Sequence, residues 1–364
     1  MSIGLLPNGG INNVIDYSDA LVNLPNQWKL FGELNIFDVE LKTQSKVGVP
    51  IYDEVLSVLG DKNWEVRADS LKRSVRRVLN FDIPRFPVRE SITPRDTAGI
   101  VSFEQWTKGD GIVLETVNSL RDEKLRRMKT AMDQTKELAR AQLITTGSVY
   151  APNGTLAQSY GSTINWFNEF GVTQTIFTGA TATALTSSST DPRQYWEAVT
   201  AAVQDGLVTG SFYDQLVCVC SASYFQALIY NDYYSDNEKA NQVIGNRRLE
   251  QRLNAMGLPI DIRYRSIEID GILFIEHRGK KPDGTDYIPA GKAFVFPLGV
   301  QDMFKVLHAP ALGRWEYQNK VAQEVYAWEF YDLTAETQEI AFTGESNYVH
   351  YCGRPQAIIQ LSLT

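Results

Sequence analysis

Histidines are the first side chains to consider for acid–base or metal chemistry in this chain. There are three, His277, His308 and His350, and none has a second histidine at metal-ligand spacing. The HExxH, GxGxxG, P-loop and GxSxG motifs are all absent from the sequence. The sequence therefore predicts no metal site, no cofactor and no catalytic residue.

Carboxylates near strand ends are the remaining candidates for a general base. Glu276 and His277 follow an apolar run, and we expect them to form a strand end at the surface. Glu268 and Asp270 share one face of a strand-like segment. The Asp-Gly pair that Asp270 begins is more simply a bend. These residues support no catalytic assignment.

The three cysteines also indicate structure instead of chemistry. Cys218 and Cys220 are two apart in LVCVC, which places both on one face of a strand. Cys352 is remote from them, and there is no CxxC spacing. We expect reduced, packed thiols, as in a cytosolic product.

Length and charge bound the fold and exclude several classes. A chain of 364 residues with 43% hydrophobic residues is expected to form one or two domains with sizeable cores. Residues 1–19 lack the basic and apolar regions of a signal peptide, and no apolar run approaches the roughly 20 residues of a membrane span. The net charge of -8 argues against a dedicated nucleic-acid binder.

One long helix is the clearest element. Residues 112–146 contain neither glycine nor proline, and Gly147 stands where a helix-ending glycine belongs. An apolar stripe drifts along one side, and its breaks favour a helix laid along a sheet over a coiled coil. Basic residues fill the other side, with Asp122, Glu123, Asp133 and Glu137 as ion-pair partners within the helix.

The segments before this helix are extended. Glycines and prolines interrupt residues 1–33, which predicts an arm that needs another surface for its apolar anchors, Trp28 among them. A hairpin of mixed charge follows at about 50–85, and it lacks an obvious core partner. FDIPRFPVRESITPRD, with three prolines in eleven residues, predicts a rigid extended strap.

The rest of the chain alternates helical and strand patterns. INWFNEFG and TQTIFTG predict two short strands, and PRQYWEAVTAAVQDGL predicts a helix. From residue 290 onward, a buried-type strand runs through a Pro-Leu-Gly break into a short amphipathic segment. Helices interspersed with mainly hairpin-linked strands indicate an α+β fold.

Four segments, taken in chain order, resemble the lambda-type (E-type) phage major capsid family, which has the Hong Kong 97 fold. They are FDIPRFPVRESITPRD, EKLRRMKTAMDQTKELARAQLITTG, FVFPLGVQDMFKVLHAPA and RPQAIIQLSLT. The resemblance implies an N-terminal arm, an extended loop, a peripheral domain with a spine helix, and an axial domain. The expected boundaries are 1–33 for the arm, 34–100 for the loop and strap, 101–190 and 320–350 for the peripheral domain with the spine helix at 112–146, and 191–319 and 351–364 for the axial domain.

The resemblance also implies an assembly function. Subunits would form hexamers and pentamers of an icosahedral head, built in the host bacterial cytoplasm. The head would enclose double-stranded DNA, and an acidic shell suits DNA that it must not grip. A portal is expected as a partner, and a decoration protein is a further candidate. No charged coiled-coil segment opens the sequence, so we expect a separate scaffolding protein; we expect no covalent cross-link.

Six residues are candidates for contacts between subunits. Nearby acids are too few to neutralise the arginines of the hairpin and strap, so we expect acidic groups of a neighbouring subunit to pair with them. The candidates are Trp28, Arg73, Arg76, Arg77, Arg85 and Arg89. Two alternatives to the capsid function remain open here: another phage structural protein such as a tail tube, and an enzyme with a pocket under the turn within residues 290–311.

Overall fold

The computed structural model describes residues 15–16, 30–53, 74–97, 111–151, 164–178, 192–207, 211–230, 264–281, 284–311, 313–332 and 339–363. The helices are α1 (Leu30–Glu33), α2 (Pro94–Thr97), α3 (Gly111–Thr146), α4 (Trp166–Phe170), α5 (Arg193–Gly206) and α6 (Ala222–Ile229). The strands are β1 (Ile15–Asp16), β2 (Asp38–Leu41), β3 (Lys46–Asp53), β4 (Ser74–Asp82), β5 (Arg85–Ile92), β6 (Ile176–Phe177), β7 (Gln215–Cys220), β8 (Ser266–Ile269), β9 (Ile272–Glu276), β10 (Lys292–Leu298), β11 (Phe304–His308), β12 (Tyr326–Asp332), β13 (Glu339–Cys352) and β14 (Ile359–Ser362).

The first sheet is organised around β13, a strand of 14 residues. Its strand order is β1-β12-β13-β11-β2, and β5 pairs with β13 in addition. The first half of β13 pairs antiparallel with β12 and β5, and its last residues pair with β11. Helix α3 packs on β5 and β13. The prediction of a long helix laid along a sheet is therefore confirmed.

Helix α3 is uninterrupted because its sequence contains nothing that would break it. It has 36 residues, one more at its start than predicted, which at about 1.5 Å per residue gives a length of roughly 54 Å. Gly147 ends it in a left-handed conformation, with φ of 68°. The Gly147 N–H donates to the Leu143 carbonyl at 2.8 Å. A side chain at Gly147 would also collide with the Phe167 ring, so glycine is required there twice over.

The second sheet has the order β6-β14-β10-β7-β9-β8. Strands β7 and β9 are parallel, and β10 runs antiparallel to both β7 and β14. Helices α5 and α6 cover the sheet, so its inner strands read as continuous apolar runs. Cys218 and Cys220 are free, fully buried thiols on β7, as the sequence predicted.

The strap and the described strands of the hairpin are extended, as predicted, while residues 54–73 of the hairpin lie outside the described residues. β3 and β4 form a two-stranded antiparallel sheet, whose base buries Val47, Val49, Leu79 and Phe81 in the core of the chain. The strap forms β5, which among the described strands pairs only with β13. An outer strand of this kind tolerates prolines, because one side of its backbone makes no ladder hydrogen bonds.

One short turn carries the chain from the second sheet to the first. β10 ends at Leu298 and β11 begins at Phe304, so the segment expected to be amphipathic is a strand of the other sheet. Gly299 has φ of 79°, and a side chain on it would collide with Asp214. Asp302 pairs with Lys305 at 2.6 Å across the turn. The chain therefore passes directly from the second sheet to the first through this turn.

One predicted strand is wrong. INWFNEFG forms α4, because both of its ends are capped. The Asn165 side chain accepts hydrogen bonds from the N–H groups of Phe167 and Asn168, and Gly171 closes the helix with φ of 67°. TQTIFTG does contain a short strand, β6.

The sheets cut across some of the predicted domain boundaries. β11 falls in the predicted axial range, yet it pairs in register with β13 of the first sheet. A boundary between β10 and β11 separates the two sheets better than one at residue 319. Residues 30–33 of the predicted arm form α1, which is buried in the chain's own core. The division into peripheral and axial domains stays a prediction.

Candidate assembly elements and the ionic layer of the long helix

Two methionines place α3 directly on β13. Met128 and Met132 are almost fully buried, and a Cβ added at Gly344 would overlap the methyl ends of both. The absence of a side chain at Gly344 therefore lets the helix approach the strand closely. The other buried residues of this small apolar cluster are Ile92, Leu125, Val325, Ala327 and Phe342.

A second side of α3 is buried although it is charged. We call its residues the ionic layer: Lys129, Asp133, Lys136, Glu137 and Arg140. Lys129 lies 3.6 Å from Asp133, and Arg140 lies 3.8 Å from Glu137, at the helical spacings that the sequence indicated. Lys136 lies 3.8 Å from Glu324, two residues before β12 begins. Each of these buried charges thus faces an opposite charge, without which burial would be costly.

Two histidines and a tyrosine on the first sheet face the ionic layer. The rings of Tyr348 and His350 are 5.2 Å apart, and His308 lies 6.1 Å from Tyr348. Burial, followed by the charge of Lys136, lowers the pKa of His308 to about 3. Burial, followed by the charge of Arg140, holds the pKa of His350 well below its usual range. Both imidazoles are therefore neutral at pH 7.

Lys136 shares this environment. Burial lowers its pKa to about 8, an effect that the carboxylate of Glu324 opposes. Its ammonium lies 5.8 Å from the centre of the Tyr348 ring. The ionic layer is thus a packed contact between α3 and the first sheet, and its charged side chains form ion pairs with one another and with Glu324.

Two fully buried glutamates tie the first sheet to arginines. Glu329 on β12 pairs with Arg121 of α3 at 3.1 Å. Glu345 on β13 pairs with Arg85 of β5 at 2.6 Å and also accepts from the side chain of Asn347. Removing either arginine would leave a buried carboxylate without its counter-charge.

Arg85 and Arg89, two of the predicted contact residues, have partners within their own chain. Arg89 pairs with Glu339 at 2.5 Å, and its guanidinium lies over the Phe330 ring. Counting only nearby acids missed Glu339 and Glu345, which are about 250 residues away in sequence. Both arginine side chains remain more than half exposed, at 53% and 54%. Their contact with a neighbouring subunit stays a prediction.

The other predicted contact residues belong to the hairpin and the arm. Arg76 and Arg77 lie near the beginning of β4, which starts at Ser74. Trp28 and Arg73 lie outside the described residues. The burial of the ionic layer was not predicted from the sequence, which indicated Asp133 and Glu137 as ion-pair partners within the helix but not that their side chains are buried.

The surface position expected for Glu276 and His277 is wrong, because both are only 2% exposed. β9 is an inner strand, and its end is covered by the rings of Tyr264 and Tyr287. Glu276 accepts from Arg278 at 2.7 Å and lies 3.8 Å from Arg265. Its carboxylate is therefore engaged in ion pairs.

Within the described ranges, no group of three or more histidine, cysteine or acidic side chains is arranged to hold a metal ion. The helices described there also include none with the length and apolar character of a membrane span. One cavity of about 300 Å³ lies between the strap, α3 and β13, and another of about 390 Å³ lies beside α5. Neither is lined by residues of the 290–311 turn.

Comparison with known proteins decides the family. The family model for phage major capsid protein E matches residues 16–363, which include both sheets and α3. The chain belongs to this family. It is also 30% identical, over 370 residues, to the major capsid protein of Pseudomonas phage KPP10. That alignment covers 97% of this chain and 98% of the phage protein. The interpretation as a major capsid protein is confirmed, and a tail tube is not favoured.

Solved structures show the same fold at low sequence identity. A putative capsid protein of a prophage of E. coli CFT073 superposes with a TM-score of 0.57 and 11% identity, covering 96% of this chain and all of that one. The capsid of Ralstonia phage GP4 gives a TM-score of 0.53 and 12% identity, covering 92% of this chain and 91% of that one. The predicted α+β fold of the Hong Kong 97 type is confirmed.

Proposed function

We propose that this chain forms the hexamers and pentamers of an icosahedral head that encloses double-stranded DNA. The supporting observation is the match to the capsid family along almost the whole chain, residues 16–363. The matched range includes the hairpin, the strap, α3 and both sheets, which supports a common role for these elements in a shell. The subunit is a virion component, and its assembly takes place in the host cytoplasm.

The proposed role is structural and needs no cofactor. Glu276, the best candidate for a general base, is engaged with two arginines. The histidines that face α3, His308 and His350, are buried on the first sheet against the ionic layer. We therefore assign the chain no enzymatic activity.

Charge supports a shell that encloses DNA without sequence-specific binding. The chain carries a net charge of -8, which disfavours tight contact with phosphates. Within the subunit, Arg85 and Arg89 are already paired with carboxylates. Proposed partners are a separate scaffolding protein, a portal and a decoration protein.

The test is negative-stain electron microscopy of the purified chain, expressed alone and together with the other head proteins of its phage. We expect rings of six or five subunits alone, and closed shells with the head proteins. Stacked rings in both preparations would indicate a tail tube. A small compact oligomer in both preparations would contradict assembly into a shell and would favour the enzyme alternative.

A further inference from the structure

Residues 30–34 contact both α3 and the end of β9 in the second sheet. Leu30, Phe31 and Leu34 are each at most 1% exposed, so this segment is as deeply buried as the core. The Leu34 N–H donates to the Leu30 carbonyl at 2.9 Å, and Asn35 leaves the turn with φ of 44°. The segment is therefore a single compact turn that contains the last residues of the predicted arm, and the rest of the arm precedes it in sequence.

Glu137 of the ionic layer binds the backbone of this turn. One carboxylate oxygen accepts from the Phe31 N–H at 2.8 Å, and the other accepts from the Gly32 N–H at 3.0 Å. Glu137 is 1% exposed, and Arg140 lies 3.8 Å from it. Hydrogen bonds to an ionised group are roughly twice as strong as neutral ones. This carboxylate is thus the polar link between the turn and α3.

Phe31 binds the second sheet from the same turn. Its ring stacks on the His277 ring with centroids 5.6 Å apart and planes inclined by 24°. His277 follows β9, and its N–H donates to the Cys220 carbonyl of β7 at 2.9 Å. Tyr287 packs edge-on against His277 at 5.3 Å. Burial, followed by the charge of Glu137, raises the pKa of Tyr287 to about 12.

We propose that residues 30–34 are a clamp that couples the arm to the orientation of α3 relative to the second sheet. Glu137 holds the clamp on α3, and Phe31 holds it on the second sheet. Both contacts belong to one five-residue turn, so displacing the turn breaks both together. A pull on the preceding arm therefore loosens α3 from the second sheet, and engagement of the arm keeps the two elements together.

The clamp is tested by hydrogen exchange and mass spectrometry on the full chain with Glu137→Gln. A glutamine cannot accept from both N–H groups, since its NH₂ must face one of them. We expect exchange in the peptide covering 30–37 to accelerate at least about tenfold. The peptide covering β7, residues 215–220, should keep its rate. Glu123→Gln, an exposed site on the same helix, should change neither peptide.

Trypsin cleavage of the Lys29–Leu30 bond gives an independent measurement, because Leu30 is buried in the clamp. Cleavage there should accelerate in Glu137→Gln and in Phe31→Leu, which removes the stack while keeping an apolar side chain. If Glu137→Gln does not fold, Phe31→Leu must show the same pattern of exchange. Unchanged exchange at 30–37, or equal acceleration at 30–37 and 215–220, overturns the proposal.

Discussion

Buried charged side chains of α3 are the least expected feature of this subunit. The sequence predicted Asp133 and Glu137 as ion-pair partners within the helix, and they pair with Lys129 and Arg140. Their burial could not be predicted, because it depends on His308, His350 and Glu324, which lie more than 160 residues away in sequence. Local sequence spacing identifies side chains that are neighbours on one helix. Burial depends on which distant segments of the chain pack against that helix.

Acid should destabilise the subunit through His308 and His350. The folded state keeps both imidazoles neutral, while in the unfolded chain they take up protons below a pKa of 6.5. The unfolded state therefore binds more protons than the folded state as pH falls below 6.5, and stability decreases. For His308, whose pKa in the folded state is about 3, the decrease is about 1.4 kcal/mol per pH unit between these two values. Above pH 6.5 this contribution is constant.

Urea titrations of the dissociated subunit between pH 7 and pH 4 measure this dependence. His308→Phe keeps a ring against Tyr348 but cannot be protonated. The free energy of unfolding of this variant should therefore depend less steeply on pH, by the contribution of one histidine. A free energy of unfolding with the same slope in the variant would contradict the role given to His308.

Loss of Arg121 should cost more than loss of a surface arginine on the same helix. Arg121→Ala leaves the fully buried Glu329 without its counter-charge, and we expect a loss on the order of 3 kcal/mol. Arg126→Ala, at an exposed position, should cost about 0.5 kcal/mol or less. Thermal unfolding of the two variants compares them directly. Equal melting temperatures would show that the Arg121–Glu329 pair contributes little.

Secondary-structure elements with clear local sequence patterns were predicted correctly, and elements with ambiguous patterns were not. The lack of Gly and Pro, followed by Gly147, located α3 to within one residue at its start. INWFNEFG was predicted as a strand because a short apolar run suits either element, and its caps, Asn165 and Gly171, decide for a helix. The separation of β10 and β11 into different sheets depends on long-range pairing that no local pattern encodes.

A proline in the middle of α3 should prevent shell formation. Met128 is 1% exposed and packs at the closest approach of α3 to β13. Met128→Pro removes a helical hydrogen bond and kinks the helix, at a cost of about 3 kcal/mol or more. Electron microscopy should find no heads for this variant. Met128→Leu, which conserves volume, should assemble normally; normal heads from the proline variant would show that α3 is not a structural spine.

In the whole molecule, cohesion between subunits is expected to depend on the hairpin. The base of the hairpin is buried in its own subunit, while a two-stranded hairpin beyond such a base is marginal in water without another surface. Arg85 and Arg89 have partners in their own chain. The arginines of the hairpin, Arg76 and Arg77, are therefore the better sites for a test.

Charge reversal of Arg76 and Arg77 together should leave a folded, soluble subunit that fails to close shells. Each exposed ion pair contributes only about 0.2–1 kcal/mol, but every subunit of a shell repeats it. Arg76→Lys with Arg77→Lys keeps the charge and should assemble. Counting absent, empty and full heads by electron microscopy distinguishes the outcomes, and closed but empty heads would favour a role in DNA packaging over cohesion.

A cryo-electron microscopy reconstruction of particles assembled from this chain tests most directly whether it is the subunit of a head shell. We expect icosahedral symmetry with six-fold and five-fold rings, and the hairpin of β3 and β4 lying across a neighbouring subunit. The first sheet with α3, and the second sheet, should each fit the density as described. Helical stacks of rings, or particles in which the hairpin contacts its own subunit alone, would contradict this assembly.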